Sequence, residues 1–186
     1  MTNKKGKLFI ISAPSGTGKS TVIMQLFALR DDFFFSISVT TRPPRTGETD
    51  GVEYYFRSKE TFEEMIKRDE FLEYTEYAGN YYGTPKAPIA ERLASGCDVI
   101  LELEVDGHSQ MKRKMPEACS IFIAPPSMEE LERRLRARGT ESNEKILQRL
   151  AVAEIEMTEM DKYDFIVVND DFKRAANEIL SIVNAG

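Results

Sequence analysis

Apolar residues in this chain follow two patterns that alternate along its length. Four segments, at 7–12, 98–103, 120–124 and 165–168, are mostly apolar without a polar alternation. These runs predict strands that are buried on both faces, as in a parallel sheet. Helices are predicted at 19–29, 85–93, 106–114, 127–137, 146–157 and from 171 onward, the first of them from apolar residues at helical spacing, Val22, Ile23, Leu26 and Phe27. Because strands and helices alternate, we expect an α/β fold in which helices flank a parallel sheet.

The segment between residues 33 and 84 has a different pattern, with short runs of β-branched and aromatic residues. Pro43-Pro44 interrupts the first run, and Asp50-Gly51 marks a turn. Ser58 is a suitable N-cap for a short helix, and the strand-like runs on either side of Gly79 predict a hairpin. We therefore predict a small, mostly β insert at 36–83 within a core formed by 1–35 and 84–186.

The first predicted strand leads directly into a segment of small residues that ends in Gly-Lys-Ser. Strand, glycine-bearing loop and helix, in this order, are the context of a P-loop, whose backbone N–H groups surround a phosphate at the positive end of a helix. The segment is Ala13, Pro14, Ser15, Gly16, Thr17, Gly18, Lys19, Ser20 and Thr21. Lys19 is expected to reach the outer phosphates, and the Ser20 hydroxyl to bind Mg²⁺. An ordinary tight turn between strand and helix is the alternative interpretation.

One position departs from the P-loop consensus, which has glycine where this chain has Ala13. Alanine is the smallest substitute and fails only where the backbone needs a positive φ. The P-loop prediction therefore requires an ordinary backbone conformation at this position.

Phosphoryl transfer needs positive charge around phosphate oxygens, and three groups of arginines are candidates to supply it. They are Arg42 with Arg45, Arg134 with Arg136 and Arg138, and Arg149. The first two flank prolines that stiffen their segment. The others lie across a break at Gly139 between two predicted helices, an arrangement typical of a mobile lid, which we predict at about 126–160. For Arg134 and Arg136 a solvated helix face is the favoured interpretation.

Two acidic residues, Glu102 and Glu104, interrupt an otherwise apolar run. The strand period of two places both on one sheet face, where burial is costly without an opposing cation. A Mg²⁺ held through Ser20 and water would supply that charge, with Glu102 as the carboxylate beside it. A pair of salt-bridged acids is the alternative.

Polar chemistry is also found within the predicted insert. Tyr54, Tyr81 and Tyr82 have polar neighbours in the sequence, so their hydroxyls either bind a phosphate or their rings form the core of the insert. Glu73 lies in an apolar strand. Considered by itself, it is interpreted as the solvent-facing residue of an alternating strand.

Composition limits the class of protein. The 186 residues allow one domain with appendages, and 41% hydrophobic residues are enough for a core. A net charge of −6 argues against nucleic acid as a partner. Lysines and an apolar stretch at the start imitate a signal peptide, but the stretch is too short and continues into the P-loop, so neither export nor a membrane is expected. Cys97 and Cys119 are expected to be buried, reduced thiols of a cytoplasmic protein.

Five segments together resemble the guanylate kinase family. Three are long: 12–20 (Ser-Ala-Pro-Ser-Gly-Thr-Gly-Lys-Ser), 38–48 (Ser-Val-Thr-Thr-Arg-Pro-Pro-Arg-Thr-Gly-Glu) and 79–84 (Gly-Asn-Tyr-Tyr-Gly-Thr). Two are short: Arg138-Gly139-Thr140 and Val167-Val168-Asn169-Asp170. The likeness runs in order from about 7 to 184. The second and third long segments are specific to the family, whereas a P-loop alone is not.

The resemblance implies an enzyme that moves the γ-phosphoryl group of ATP onto GMP with Mg²⁺, built from a P-loop core, a GMP-binding insert and a lid. It assigns to guanine Ser38, Glu73 and Thr84. It assigns to the GMP phosphate Arg42, Arg45, Tyr54 and Tyr82. It implies Glu102 and Glu104 near GMP and the metal, Arg138 and Arg149 on the phosphates, and Asn169 near adenine. Relatives with Ala-Pro-Ser-Gly tolerate Ala13, and Asp106 stands where many have glutamine, which leaves its role open.

These assignments agree with the chemistry of the two substrates. Guanine presents N1–H and its 2-amino group side by side, so the Glu73 carboxylate accepts from both, whereas adenine has no such pair of donors. The attacking oxygen belongs to a phosphate with a second pKa of about 6, so it is deprotonated at neutral pH and needs no general base. The residues expected to carry catalysis, by positioning and charge, are Lys19, Arg42, Arg138 and Arg149.

Other classes of function fit the sequence less well. Catalytically inactive guanylate-kinase-like modules of scaffold proteins typically have degraded P-loops, whereas Lys19 and Ser20 are present here. A P-loop kinase for another acceptor does not account for Ser38, Glu73 and the tyrosines. A motor that acts on nucleic acid would need a basic face. The sequence leaves the oligomeric state open.

Overall fold

The computed structural model describes residues 5–77, 79–137, 139 and 141–185. In chain order its elements are β1 (Leu8–Ser12), α1 (Lys19–Leu29), β2 (Phe34–Phe35), β3 (Val39–Thr40), β4 (Tyr55–Phe56), α2 (Lys59–Lys67), β5 (Phe71–Tyr77), β6 (Asn80–Pro85), α3 (Lys86–Ala94), β7 (Val99–Glu102), α4 (Val105–Lys114), β8 (Cys119–Ala124), α5 (Met128–Ala137), α6 (Asn143–Thr158), β9 (Phe165–Val168) and α7 (Phe172–Ala185). A 3₁₀ turn at Met160–Lys162 precedes β9. The alternation of parallel strands with helices confirms the predicted fold class.

The chain divides into two compact units. The first comprises the segment that ends at Leu8, together with Phe34–Leu101 and Asp106–Ala118. The second comprises Phe9–Phe33, Glu102–Val105 and the segment from Cys119 onward. The bounds expected for the insert, 36–83, and for the lid, about 126–160, are narrower than these two units and stay predictions.

The second unit is built on the parallel strands β1, β8 and β9. Ile11 of β1 lies opposite Ile121, and Phe122 lies opposite Ile166 of β9. All five residues of β1 are buried, which explains why its sequence shows no alternation. Helix α1 buries Val22, Ile23 and Leu26 and packs against α7. The strand and the helix that flank the P-loop are thus anchored in the core of this unit.

The first unit contains a mixed sheet with the strand order β4-β3-β6-β5, and a parallel pair formed by β2 and β7. The predicted hairpin is confirmed: β5 and β6 are antiparallel, with Tyr77 opposite Asn80. Ser58 caps α2, since its Oγ accepts from the Thr61 N–H at 3.2 Å. Phe62 of α2 then stacks on Phe71 with ring centroids 4.4 Å apart. This packing fixes α2 against the hairpin.

Three details differ from the expectations. The β-rich run at 33–41 forms two short strands in separate sheets, β2 and β3, with three residues between them. Cys97 and Cys119 are half-buried thiols rather than fully buried ones, because each lies at or just before the start of a strand. Glu104 lies beyond the end of β7, so the two acids of that run do not share one strand. No helix in the described part of the chain is long and apolar enough to cross a membrane.

Candidate active site

The P-loop is a cradle between β1 and α1. Gly16 and Gly18 both have φ of +96°, a conformation that side chains rarely adopt, and α1 begins at the next residue, Lys19. The unpaired N–H groups of a helix start therefore face the loop. The cradle encloses a cavity of about 250 Å³ lined by Ala13, Pro14, Ser15, Gly16, Gly18, Lys19, Ser20, Thr21 and Glu104.

The two glycines are also required by close packing. A Cβ on Gly16 would lie 2.6 Å from Cδ2 of Leu135 on α5, and one on Gly18 would lie 2.9 Å from Nδ2 of Asn169. Ala13, in contrast, has an ordinary φ, because Asp69 is the only described non-glycine residue with a positive one. Alanine is therefore compatible with the cradle, as the P-loop prediction required.

Lys19 is held at the cradle by three oxygen atoms. Its Nζ donates to the carbonyl of Leu103 at 3.3 Å and lies 3.4 Å from Glu102 Oε1 and 3.6 Å from Glu104 Oε1. The Lys19 side chain is 11% exposed, compared with 70% for Glu104. The interpretation of the two acids as ion-paired residues is thus the one that the contacts support.

A divalent metal fits the donors at this end of the cradle. Ser20, the second residue of α1, and Glu104 both line the cavity. No group of three or more potential metal-ligating side chains occurs within the described ranges. One hydroxyl and nearby carboxylates suit a hard ion such as Mg²⁺, which keeps several waters and takes its other ligands from phosphate oxygens. A pre-built metal cage is not needed for such a site.

Arg134 is a member of this site that the sequence-based interpretation missed. Its guanidinium donates to the carbonyl of Thr17 at 3.2 Å and to that of Asn169 at 2.9 Å. Asn169 in turn is buried, and its Nδ2 donates to the same Thr17 carbonyl at 2.7 Å. Arg133 and Arg134 also bind Glu130, and these hydrogen bonds lower the pKa of Glu130 to about 2. The expectation of a solvated helix face for Arg134 is wrong, because its side chain ties α5 to the P-loop.

Arg149 of α6 also reaches the cradle. Its Nη1 donates to Ser15 Oγ at 3.1 Å, and its Nη2 lies 2.7 Å from Glu141 Oε1. Arg136 pairs with Glu132 and Asn143 instead, which agrees with its interpretation as a surface residue. Arg138, the other arginine expected on the phosphates, lies outside the described residues.

In the first unit, Glu73 is a buried carboxylate. It is 4% exposed, and its Oε1 accepts from Thr84 Oγ1 at 2.5 Å across the β5–β6 pair. The pairing register shifts between Phe71 and Glu73, so three successive residues at the start of β5 are buried. The interpretation of Glu73 as solvent-facing is wrong for this reason: a bulge interrupts the alternation on which it relied. Burial raises the pKa of Glu73, against the opposing effect of the Thr84 hydroxyl.

Three of the four residues expected on the GMP phosphate, Arg42, Tyr54 and Tyr82, form a second cluster in the same unit. The Arg42 guanidinium lies 5.4 Å from the ring centre of Tyr54, which in turn is 6.0 Å from that of Tyr82. Glu48 Oε1 accepts from Arg42 at 2.9 Å, and Oε2 accepts from the Arg45 backbone N–H at 2.7 Å. The hydrogen bond from Arg42 is the main cause that lowers the pKa of Glu48.

Sequence reasoning did not single out Glu48, although it lies in one of the family-like segments. Arg45 has an exposed side chain, and Ser38 is half-buried with its carbonyl bonded to the Tyr55 N–H. Arg42, Tyr54 and Tyr82 are therefore brought together, whereas the contacts described for Ser38 and Arg45 are made by their backbone.

A glycine cradle at the start of a buried helix, a lysine at its mouth and arginines on the following helices define a P-loop phosphotransferase. The family model "Guanylate kinase" matches residues 5–186. The chain is 48% identical to guanylate kinase of Oceanobacillus iheyensis over 185 residues, which is all of this chain and 90% of that protein. It is 45% identical to guanylate kinase of a Synechococcus species over 179 residues, 96% of this chain and 82% of that one.

A solved structure agrees with these relatives. The crystal structure of guanylate kinase from Anaplasma phagocytophilum superposes with a TM-score of 0.80 at 33% identity, covering all of this chain and 88% of that one. The chain belongs to the guanylate kinase family.

Proposed function

We propose that this chain transfers the γ-phosphoryl group of ATP to GMP and forms ADP and GDP. The observation that carries the proposal is the combination, within a member of the guanylate kinase family, of a P-loop cradle with a buried carboxylate at Glu73. A P-loop without an acceptor-reading group would leave the second substrate undefined. The two features together support ATP as the phosphoryl donor and GMP as the acceptor.

ATP is assigned to the P-loop, residues 13–21. Backbone N–H groups at the start of α1 bind the phosphates, and the Lys19 ammonium exchanges its carboxylate partners for phosphate oxygens. Asn169 is assigned to the adenine side of this site. Its support is the hydrogen bond to Thr17, which fixes Asn169 next to the cradle.

GMP is assigned to residues of the insert. Glu73 accepts from guanine N1–H and the 2-amino group, with Ser38 and Thr84 beside it. Adenine would offer the buried carboxylate no such pair of donors, and a mismatch of this kind costs an enzyme a large factor in specificity. The residues assigned to the GMP phosphate are Arg42, Arg45, Tyr54 and Tyr82.

The metal assigned to the reaction is Mg²⁺, on the basis that kinases of this family use ATP. Ser20 would hold it directly, and Glu102 through water; Glu102 and Glu104 are also assigned to the GMP side of the reaction. When bound, the ion neutralises charge on the phosphate oxygens.

The chemical step needs no base from the protein. A GMP phosphate oxygen attacks the γ-phosphorus, the bond to the β–γ bridging oxygen breaks, and ADP leaves. Lys19, Arg42, Arg138 and Arg149 stabilise the charge on the transferred group. The helices predicted as the lid, at about 126–160, would exclude water from this step. The reduced thiols Cys97 and Cys119 favour the cytoplasm as its location.

The test is an acceptor panel. The purified chain is given ATP and Mg²⁺ with GMP, AMP, CMP or UMP in parallel, and ADP formation is followed. We expect turnover with GMP and little with the other three. Equal turnover with AMP, or none with GMP, would refute the proposal.

A further inference from the structure

Helix α4 is hydrogen-bonded to strand β5 on both sides of Glu73. Lys114 Nζ donates to the carbonyl of Phe71 at 2.9 Å, and Gln110 Nε2 donates to the carbonyl of Tyr74 at 3.1 Å. These two helix residues are four positions apart and therefore lie on one face of α4. Their acceptors bracket Glu73 in the sequence. The position of the bulged strand around the carboxylate is thus fixed by α4.

Lys114 also takes part in an ion cluster at the start of β5. Its Nζ lies 3.8 Å from Oδ1 of Asp69, and Lys86 pairs with the other carboxylate oxygen of that residue. Asp69 has φ of +53°, and the backbone N–H of Lys86 donates to the carbonyl of Glu70 at 2.8 Å. The turn that leads into β5 is therefore held by the same two lysines.

The charged and polar groups that act on the Glu73 carboxylate come from two neighbouring elements. Thr84 on β6 donates to it, and Lys114 on α4 is the cation that acts on it electrostatically. Burial raises the pKa of Glu73, and Lys114 counteracts that increase. Two further charged groups adjoin Lys114: Asp69 lies 3.8 Å from its ammonium, and Lys86 pairs with Asp69.

We propose that Lys114 is a positioning residue for GMP recognition, which holds the start of β5 in place two residues before Glu73 and brings a positive charge to that part of the strand. The inference rests on the proposed function, in which Glu73 reads guanine in its ionised form. It predicts that loss of Lys114 weakens the binding of GMP and leaves the binding of ATP unchanged.

The experiment measures kcat and KM for GMP and for ATP between about pH 5.5 and 8.5 for wild type and Lys114→Met. At neutral pH we expect KM for GMP to rise about threefold to fivefold, the scale of a partly exposed charge interaction, with kcat and KM for ATP unchanged. Without the positive charge, Glu73 takes up its proton at higher pH. The fall of kcat/KM for GMP on acidification should therefore begin at higher pH in the variant.

Three further variants make the result specific. Lys114→Arg keeps the charge and the donor and should restore the wild-type profile. Lys112→Met removes a lysine of the same helix whose Nζ donates to the carbonyls of Pro116 and Ala118, and it should leave KM for GMP unchanged. In a Glu73→Gln background, Lys114→Met should have little further effect on the pH profile. The titration of the GMP phosphate is common to all of these proteins and cancels in the comparison.

The failure of this inference and that of the proposed function give different results. An unchanged KM for GMP and an unchanged profile in Lys114→Met overturn the role of Lys114, as do equal losses for ATP and GMP. If Glu73→Gln itself uses GMP as well as wild type does, the assignment of guanine to Glu73 fails instead.

Discussion

The P-loop and the Glu73 site hold charges of opposite sign in different ways. The Lys19 ammonium has two carboxylates and a carbonyl oxygen within reach, and its surroundings are open to solvent at Glu104. Glu73 is buried, with the Thr84 hydroxyl as its described hydrogen-bond partner. In the proposed function, a phosphate at Lys19 would replace the carboxylates that pair with it, whereas guanine would bring further donors to the Glu73 carboxylate. The first site would then exchange one set of partners for another, and the second would gain partners.

The largest effect that this comparison predicts is at Lys19. Lys19→Ala should lower kcat on the order of 10³-fold, because the variant loses charge stabilisation of the transferred group. Thermal unfolding should change little, since the two acidic side chains that pair with the lysine are 32% and 70% exposed and such pairs contribute little to stability. Lys67→Ala, an exposed lysine of α2, is the control. Near-wild-type turnover would remove Lys19 from the site.

The next effect is at Glu73, where only one substrate should respond. Glu73→Gln replaces an acceptor oxygen with an amide that opposes the guanine donors, so kcat/KM for GMP should fall about 10²-fold or more. KM for ATP should stay within error. Glu76→Gln, on the exposed part of the same strand, is the matched control. A parallel loss for both nucleotides would mean that Glu73 has a structural role.

A smaller effect is expected at Arg134, which supports the P-loop as Lys114 is proposed to support Glu73. Arg134→Met leaves the Thr17 and Asn169 carbonyls without a charged donor, and KM for ATP should rise roughly 10-fold. Arg133→Met is the control, because Arg133 is exposed and its described partner is Glu130. KM for GMP should be the same in both. If KM for ATP changes equally in the two variants, the hydrogen bonds by which Arg134 joins α5 to the P-loop do not contribute to ATP binding.

The smallest effect concerns thermal stability, which a substitution at Glu73 should increase. Burial raises the pKa of Glu73, so the folded protein binds this proton more tightly than the unfolded chain does. At a pH above the raised pKa the group is ionised in both states, and its burial then destabilises the fold. Glu73→Gln should then raise Tm by roughly 2–4 °C, which is ~1 kcal/mol in a domain of this size. As pH falls through the raised pKa toward 4.5, the folded state takes up the proton first and the difference should disappear. A rise in Tm that does not depend on pH would contradict this explanation.

The sequence predicted the P-loop well because everything that defines it is contiguous. The helix predicted at 19–29 is observed as α1, and the strand before it differs by one residue. Backbone N–H groups and glycines act locally, so spacing alone is sufficient to identify them. The same holds for the Ser58 cap, whose acceptor and donor are three residues apart.

The partners of the other site residues lie far along the chain, and there the prediction was weaker. Burial of Glu73 depends on a register shift against β6, which no periodicity within β5 reveals. Arg134 was interpreted as solvated because its acceptors, at Thr17 and Asn169, are 117 and 35 residues away. Resemblance to a family assigned Glu73 to guanine without predicting its burial, and Arg134 was not among the residues that it assigned.

The contact between Gly16 and Leu135 has a consequence for how the cradle behaves. A segment with two glycines, a serine and a threonine has the composition of a flexible linker. Leucine side chains of α5, however, occupy the space into which a side chain at position 16 would project. Glycine serves close approach here and not freedom of movement. A loop packed in this way would lose little conformational entropy when it binds a nucleotide, so more of the interaction energy would remain as affinity.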